Sequence, residues 1–377
     1  MHKYVEKLLN GRKVEWKRLG DEEFIEIANN ARKPVKASLR EAGEIPYYGA
    51  NNIQDYVNGY THNGEYVLIA EDGSASLENY SIQYVNGKFW ANNHVHVIRT
   101  KSNKLITKFL YYYLQTFNFI PYLTGGDRTK LTKTKMIEIP FPIPPLDVQR
   151  EIVRMLDNFT ELTAELTAEL TAELSLRKKQ YEYYRNKLLT FGDEVEWKEL
   201  GKIAIIGTGS CNTNEAIEDG KYPFFVRSQI PRKINNYEFD ETAIITAGDG
   251  VGVGKVFHFV NGKYALHQRA YRIVIKDENI LLPKFLFYFF VNHFYDYIVK
   301  TSVHASVTSL RKPMFEKFKI PVPPIEKQKE IVEILDKFDT LTNSITEGLP
   351  KEISLRQKQY EYYRDMLLNF SKGIGKK

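Results

Sequence analysis

The chain has 377 residues, 43% hydrophobic and 13% aromatic, and a formal net charge of +6 from 53 basic and 47 acidic residues. This length allows two or three domains with separate cores, the composition excludes a disordered chain, and the modest positive balance admits a polyanionic partner without demanding one. The single cysteine, Cys211, excludes a disulfide framework or a cysteine zinc cage and reads as a small core residue in a reducing compartment.

Residues 1–13 are charged throughout and lack the apolar stretch of a signal peptide; their resemblance to the end of the first connector makes them an expected partial connector helix. Residues 14–146 follow as a first mixed α/β body. Tyr66–Ala70 and Val95–Ile98 predict strands, Asn86-Gly87 predicts a hairpin turn, and Thr107–Phe119 predicts an aromatic-rich helix. His94 and His96, alternate residues on a strand, read as ordinary surface. Pro144-Pro145 then opens a connector over 147–194, because a proline pair cannot sit inside a helix but can precede one. From Asp147 to about Thr190 the apolar residues Ile152, Leu156, Phe159, Leu162, Leu166, Leu170 and Leu174 recur at helical steps. The helix would be roughly 65 Å long, and Thr163-Ala-Glu-Leu occurs in it three times in succession, ending at Leu174.

The second body spans 195–325. Ala243–Thr246 and Tyr271–Ile275 predict strands, Asn261-Gly262 a turn, and Pro283–Ile298 an aromatic helix whose apolar run is too short to span a bilayer. Residues 326–377 form a second connector, helical to about Phe370, with a break or kink expected at Gly348 and Pro350.

Internal similarity governs the reading. Ser175–Arg185 (SLRKKQYEYYR) and Ser354–Arg364 (SLRQKQYEYYR) differ at one position. Pro142-Ile-Pro-Pro-Leu146 returns as Pro321-Val-Pro-Pro-Ile325, and VEWKRLG at Val14 returns as VEWKELG at Val195. Weaker echoes pair Tyr66–Gly73 with Ala243–Gly250 and Lys108-Phe-Leu with Lys284-Phe-Leu. The chain is therefore a tandem duplication in which two variable bodies alternate with two near-identical connectors. Helices of matching length separated by a whole body pair most simply antiparallel. Because Lys7-Leu8-Leu9 echoes Lys187-Leu188-Leu189, the amino terminus starts inside a connector, and the two termini are expected to lie close together.

Catalytic signatures are missing. The run Gly248–Lys255 fails as a phosphate loop, since Asp249 stands where the first glycine belongs and Val256 where Ser or Thr would bind magnesium. A glycine-rich hairpin turn is the better reading. The Asn/Asp-Pro-Pro-aromatic loop of an adenine methyltransferase does not occur, and histidines 94, 96, 258, 267 and 304 have no metal-ligand spacing.

PPL-x-x-Q-x-x-I at Pro144–Ile152, PPI-x-x-Q-x-x-I at Pro323–Ile331, the LTAEL units, RKKQYEYYR at Arg177, LDKFDTLTNSITEGLP at Leu335 and the two VEWK-x-LG segments together resemble the specificity subunits of type I restriction–modification enzymes, over nearly the whole chain. The resemblance implies an α+β fold: two pseudo-repeated mixed α/β target recognition domains separated by a long antiparallel two-helix coiled coil in a near-circular organisation. It implies a non-catalytic, cytoplasmic subunit that binds double-stranded DNA, with one recognition domain on each half of a split site. The connectors would bind two methyltransferase (M) subunits, with restriction (R) subunits completing the complex. No cofactor is expected in this chain; S-adenosylmethionine, ATP and magnesium would belong to the partners.

Donor-rich loops supply the candidate DNA contacts. In the first body these are Asn92, Asn93, Arg99, Arg128, Lys130, Lys133 and Lys135. In the second they are Arg227, Gln229, Arg232, Lys233, His267, Gln268, Arg269, Thr308, Ser309, Arg311 and Lys312. Arg, Asn, Gln and His suit base edges, whereas Lys, Ser and Thr more often fix phosphates. The alternative is a coiled-coil scaffold without sequence-specific DNA binding.

Overall fold

In each body a short proline-bearing strand closes the domain just before its connector helix begins. A computed structural model describes residues 1–125, 129–301 and 309–370. They fall into two units, Met1–Ala168 with Ser354–Lys377, and Glu169–Ile353.

The first unit begins with α1 (Lys3–Leu9), β1 (Glu15–Arg18) and β2 (Ile25–Ile27). Strands β3 (Ala42–Tyr48), β4 (Ile53–Val57), β5 (His62–Ala70), β6 (Ile82–Ala91) and β7 (Val95–Thr100) come next. Helix α2 (Thr107–Gln115), the short α3 (Lys133–Met136), β8 (Pro140–Ile143) and helix α4 (Leu146–Leu188) complete the run. The main sheet has the order β2-β7-β5-β6-β3-β4, with β3 parallel to β6 and every other pair antiparallel. Strand β5 is buried on both faces: Tyr66 and Leu68 join one apolar cluster, while Val67 and Ile69 join another beneath α2. Strand β8 pairs only with β1, Trp16 opposite Pro142, so its prolines cost no ladder bond on the unpaired side.

The second unit repeats this plan with β9 (Glu196–Glu199), α5 (Leu200–Ile203), β10 (Ala204–Thr208), β11 (Tyr222–Phe225), β12 (Arg232–Ile234), β13 (Phe239–Ala247), β14 (Phe257–Leu266) and β15 (Ala270–Ile275). Helix α6 (Pro283–Thr301), α7 (Lys312–Glu316), β16 (Lys319–Val322), α8 (Ile325–Asn343) and α9 (Gly348–Leu368) follow. The sheet order is β10-β15-β13-β14-β11-β12, with the parallel pair at β11 and β14, and β16 pairs β9. The two bodies have one topology, as a duplication requires.

Two expectations about local structure are corrected. Asn86-Gly87 and Asn261-Gly262 make no turn; they lie within β6 and β14, where Glu65 faces Asn86 and Thr242 faces Asn261. Gly87 and Gly262 sit at φ 107° and 111°, so the glycine supplies a kink in a long strand that a side-chain-bearing residue would resist. His96 is interior: it is 1% exposed, its Nε2 donates to the Leu131 carbonyl at 2.7 Å, and its Nδ1 faces the Asn29 amide at 3.0 Å.

Each connector is locked to its body by a buried glutamine. Gln149 Nε2 donates to the carbonyls of Pro144 and Lys104, and its Oε1 accepts from Ile106 N. Gln328 does the same with Pro323, Ile280 and Leu282. A second lock joins Lys108 and Tyr112 of α2 to Asp157 of α4, and Lys284 and Tyr288 of α6 to Asp336 of α8. Val148, Ile152 and Leu156, one stripe of α4, are buried in the first core, each contributing roughly 2 kcal/mol by removal from water.

In the first unit α4 leaves the core at its start while α9 arrives there at its end, with Leu367, Leu368 and Phe370 in the cluster that also holds Val5 and Leu9. Phe159 stacks on Tyr363 at 5.4 Å and Tyr360 meets Thr160, so the two segments run antiparallel. In the second unit the last turns of α4 meet the later turns of α8, Tyr181 and Tyr184 stacking on Phe338. The helical break falls at 344–347, slightly ahead of its expected place. Gly348 opens α9 at φ 78°, where a Cβ would come within 2.4 Å of the Thr340 carbonyl, and Pro350 occupies the first turn, the one place in a helix that tolerates it.

Candidate nucleic-acid interface

Three loops of each body are stitched together by the same two backbone hydrogen bonds. In the first body Glu71 N donates to His94 O, and Leu131 N donates to Glu71 O, both at 2.8 Å. In the second, Gly248 N donates to Arg269 O at 2.8 Å and Leu310 N to Gly248 O at 2.7 Å. The loop after β5 or β13 is thereby fixed against the turn before β7 or β15 and against the segment before α3 or α7. The run beginning at Gly248 is the hairpin connection between β13 and β14, as expected.

In the second body this arrangement converges two arginines on Asp249. Arg227 Nη1 donates to Asp249 Oδ1 at 2.6 Å and Arg269 Nη1 to Asp249 Oδ2 at 3.1 Å. The carboxylate is 22% exposed while the arginine side chains are 41% and 62% exposed, so the acid lies beneath and the guanidiniums project. Burial alone would push the Asp249 carboxyl up, but the hydrogen bonds and charges of Arg227 and Arg269 hold it below the usual range. Thr213, Arg227, Ser228, Arg232 and Asp249 line one surface groove. Gln268 is exposed beside it, its amide held by Asn212, and Ser309 forms a backbone bridge with Asp249. Gln229, Lys233, Arg311 and Lys312 are exposed as well, Lys312 lying 3.8 Å from Glu316.

His267 is a correction. It is 5% exposed and its Nδ1 accepts from Arg269 N, so it shapes the turn and its ring is not presented to a ligand. Burial, then the nearby Arg227, lowers its pKa, which keeps the ring neutral.

The first body has the equivalent geometry with other residue types. His94 Nδ1 lies 2.5 Å from Asp72 Oδ1, Lys130 Nζ lies 3.5 Å from Asp72 Oδ2, and Lys130 bridges Asp72 through the backbone. Asn93 and Lys133 are exposed nearby. Asn92 is corrected: it is 3% exposed, and its Oδ1 accepts from His94 N, so it holds the turn. Arg99 lies away from the loops, paired with Glu26 at 2.7 Å across β2 and β7 and stacked over Tyr66. Lys135 is tied to Glu138 at 3.0 Å. Arg128 and Thr308 lie outside the described residues.

Donor-based reading of the loops leaves out Asp72 and Asp249, because acids repel phosphates, and His94, because it reads as ordinary surface. A signal existed: Asp72 and Asp249 stand at the same place in the paired segments Tyr66–Gly73 and Ala243–Gly250. Arg32 was missed too; its guanidinium binds Glu71 at 2.6 Å and the Val95 carbonyl at 2.7 Å, securing the loop from below. Glu238 performs a similar task in the second body, accepting from Ser210 and from Leu266 N. Among the described residues no cluster of His, Cys, Asp and Glu could hold a metal ion, and no helix is long and apolar enough to cross a membrane. Cys211 is buried, and burial, then Glu238, pushes its thiol up to about 11.

Comparison with known proteins agrees with this duplicated plan. A family model described as the type I restriction modification DNA specificity domain matches twice, over residues 13–176 and 192–355. A putative type I restriction enzyme specificity subunit of Haemophilus influenzae is 50% identical over 98% of both chains. The EcoR124I/EcoR124II specificity subunit of Escherichia coli is 36% identical over 98% of this chain and 97% of its own. In fold, the chain is similar to a solved type I restriction–modification S subunit of M. genitalium, at a TM-score of 0.52, 16% identity and coverage of 96% and 98%. It is also similar, at a TM-score of 0.60, 16% identity and coverage of 95% and 98%, to a chain from a structure described as the assembly and conformational transition of the type I R-M system.

Proposed function

The chain belongs to the type I restriction–modification specificity subunits, with two recognition domains, and we propose that each domain reads one half of a split DNA site through its stitched loop cluster. The observation that carries this reading is the recurrence of one loop geometry in both bodies with different side chains upon it. A fixed scaffold with exchangeable donors suits two half-sites of unlike sequence. Arg227, Arg232, Arg269 and Gln268 would read base edges in the second body; Asn93, His94 and Lys130 would do so in the first, with Lys133, Ser309, Arg311 and Lys312 on phosphates.

In this reading the chain selects DNA and catalyses nothing. Its connectors dock two methyltransferase subunits, restriction subunits join the complex, and S-adenosylmethionine, ATP and magnesium act in those partners in the cytoplasm. The domains run over 14–146 and 195–325, with connectors at 1–13, 147–194 and 326–377. Methylome sequencing of a host expressing this chain with its methyltransferase partner tests the proposal. A single bipartite motif, two short specific blocks around a fixed gap, is the expected result. Absence of any new methylated motif, with the complex assembled, would favour a scaffold without sequence recognition.

A further inference from the structure

We infer that Asp72 and Asp249 are positioning residues for DNA recognition: each carboxylate aims basic side chains at the base edges and withholds them from the phosphates. The inference rests on the reading of the two bodies as DNA readers and assigns a task to residues that such a reading alone would leave out.

Both acids stand two residues beyond the end of a central strand, β5 or β13, in loops tied by the same backbone bonds. Both receive a side chain from the residue immediately before β7 or β15, His94 in one body and Arg269 in the other. Both form a backbone bridge to the third loop, at Lys130 and at Ser309. A second basic group completes each set, Lys130 in the first body and Arg227 in the second. The residue types that meet the acid have changed between the bodies while the acid and its place have not.

The geometry at Asp249 leaves the arginines able to act. Each gives a single Nη1 hydrogen bond to the carboxylate, and among the described residues no other acceptor holds either side chain by Nε or Nη2. A bidentate guanine contact needs two such N–H groups in a fixed plane. An unrestrained arginine at a surface turn samples many rotamers and is drawn to the nearest phosphate, which carries no sequence information. A carboxylate beneath two guanidiniums limits both tendencies. It fixes the fork, and it lowers the net positive charge that the loop offers to the backbone.

These two effects give the test an unusual sign. The probe is a randomised duplex library, bound by the full chain assembled with its methyltransferase subunits, with wild type, Asp249→Asn and Asp72→Asn compared. Asp249→Asn should lower preference for the wild-type half-site of the second body by about tenfold, the scale of one arginine–guanine pair. It should raise binding to unrelated duplex by about twofold, because one phosphate-facing charge is released. The other half of the motif should be unchanged, and Asp72→Asn should do the converse. A merely structural acid would lower specific and unrelated binding together and lower the melting temperature, which is read in parallel.

Asp249→Glu should restore part of the preference. In a background lacking both Arg227 and Arg269, Asp249→Asn should have no further effect; full additivity would overturn the inference. Wild-type motif preference retained in Asp249→Asn would overturn it alone. A wild-type complex that enriches no motif would overturn the DNA-reading proposal as well, so the two failures are distinguishable.

Discussion

At the scale of single residues, burial decides which donors are spent on the fold and which are offered outward. Asn92 and His267 have the chemistry of base readers, yet both are enclosed and hold the turns that carry their neighbours, whereas Asn93 and Gln268, one residue along, are exposed. His96 shows the energetic side of this. Burial lowers its pKa first of all; the Leu131 carbonyl and Glu71 oppose the shift, and Arg32 and Lys133 add to it. A histidine whose folded pKa is depressed contributes its full stability above the unfolded value. That contribution is lost as pH falls through about 6.5, because the unfolded chain takes up a proton that the folded one refuses. His62, His258 and His293 are lowered by burial in the same way. The chain should therefore melt at a lower temperature at about pH 5.5 than at about pH 7.5. His96→Leu should be less stable at the higher pH by about 1–3 kcal/mol, since the Leu131 carbonyl loses its donor. It should also lose less on acidification. Calorimetry at both pH values decides the matter, and an unchanged pH slope in the variant would remove His96 as a contributor.

At the scale of elements, the glutamine of each PP-x-x-x-Q segment explains why the connectors are conserved within the chain while the bodies diverge. Gln149 and Gln328 satisfy the same three backbone groups at the same place, so neither can change without leaving buried polar atoms unpaired. Methionine matches their volume and makes none of these bonds. Gln149→Met and Gln328→Met should each cost about 3 kcal/mol of unfolding free energy, measured by urea denaturation. A cost below about 1 kcal/mol in both would mean that water replaces the amide. This glutamine was visible in the sequence as a repeated letter, but its role was not, because its partners Lys104–Ile106 and Ile280–Leu282 lie more than forty residues away. The same limit explains the Asn-Gly error. The dipeptide announces a glycine with φ above zero, which is true at Gly87 and Gly262, but only pairing with β5 and β13 shows that the strand continues through it.

At the scale of the whole molecule, the repeat was the most informative feature, because a duplicated sequence fixes a duplicated topology before either topology is known. It could not reveal the parallel pairs β3 with β6 and β11 with β14, since a strand's own alternation records which face is buried and nothing about its neighbour's direction. Nor could it select the side chains proposed to read DNA, because the residue types at the matching places differ between the bodies. One whole-molecule property does follow from the connectors. Helix α4 has no buried residue beyond Leu156, so its three Thr-Ala-Glu-Leu units lie outside both cores, and one can be removed without disturbing either body. The second connector carries no such units and is broken at 344–347. Deleting Thr167–Leu170 should shorten α4 by about 6 Å and leave its leucine line turned by about 40°. If α4 spaces the two recognition domains, the gap in the DNA motif should contract by one or two base pairs, at about 3.4 Å each, while both specific blocks keep their sequence. Methylome mapping of the deletion variant reads gap and blocks in one measurement. Contraction with intact blocks identifies a spacer; an unchanged gap would mean that the separation of the half-sites is set elsewhere, and altered blocks would mean that the units support the recognition domains themselves.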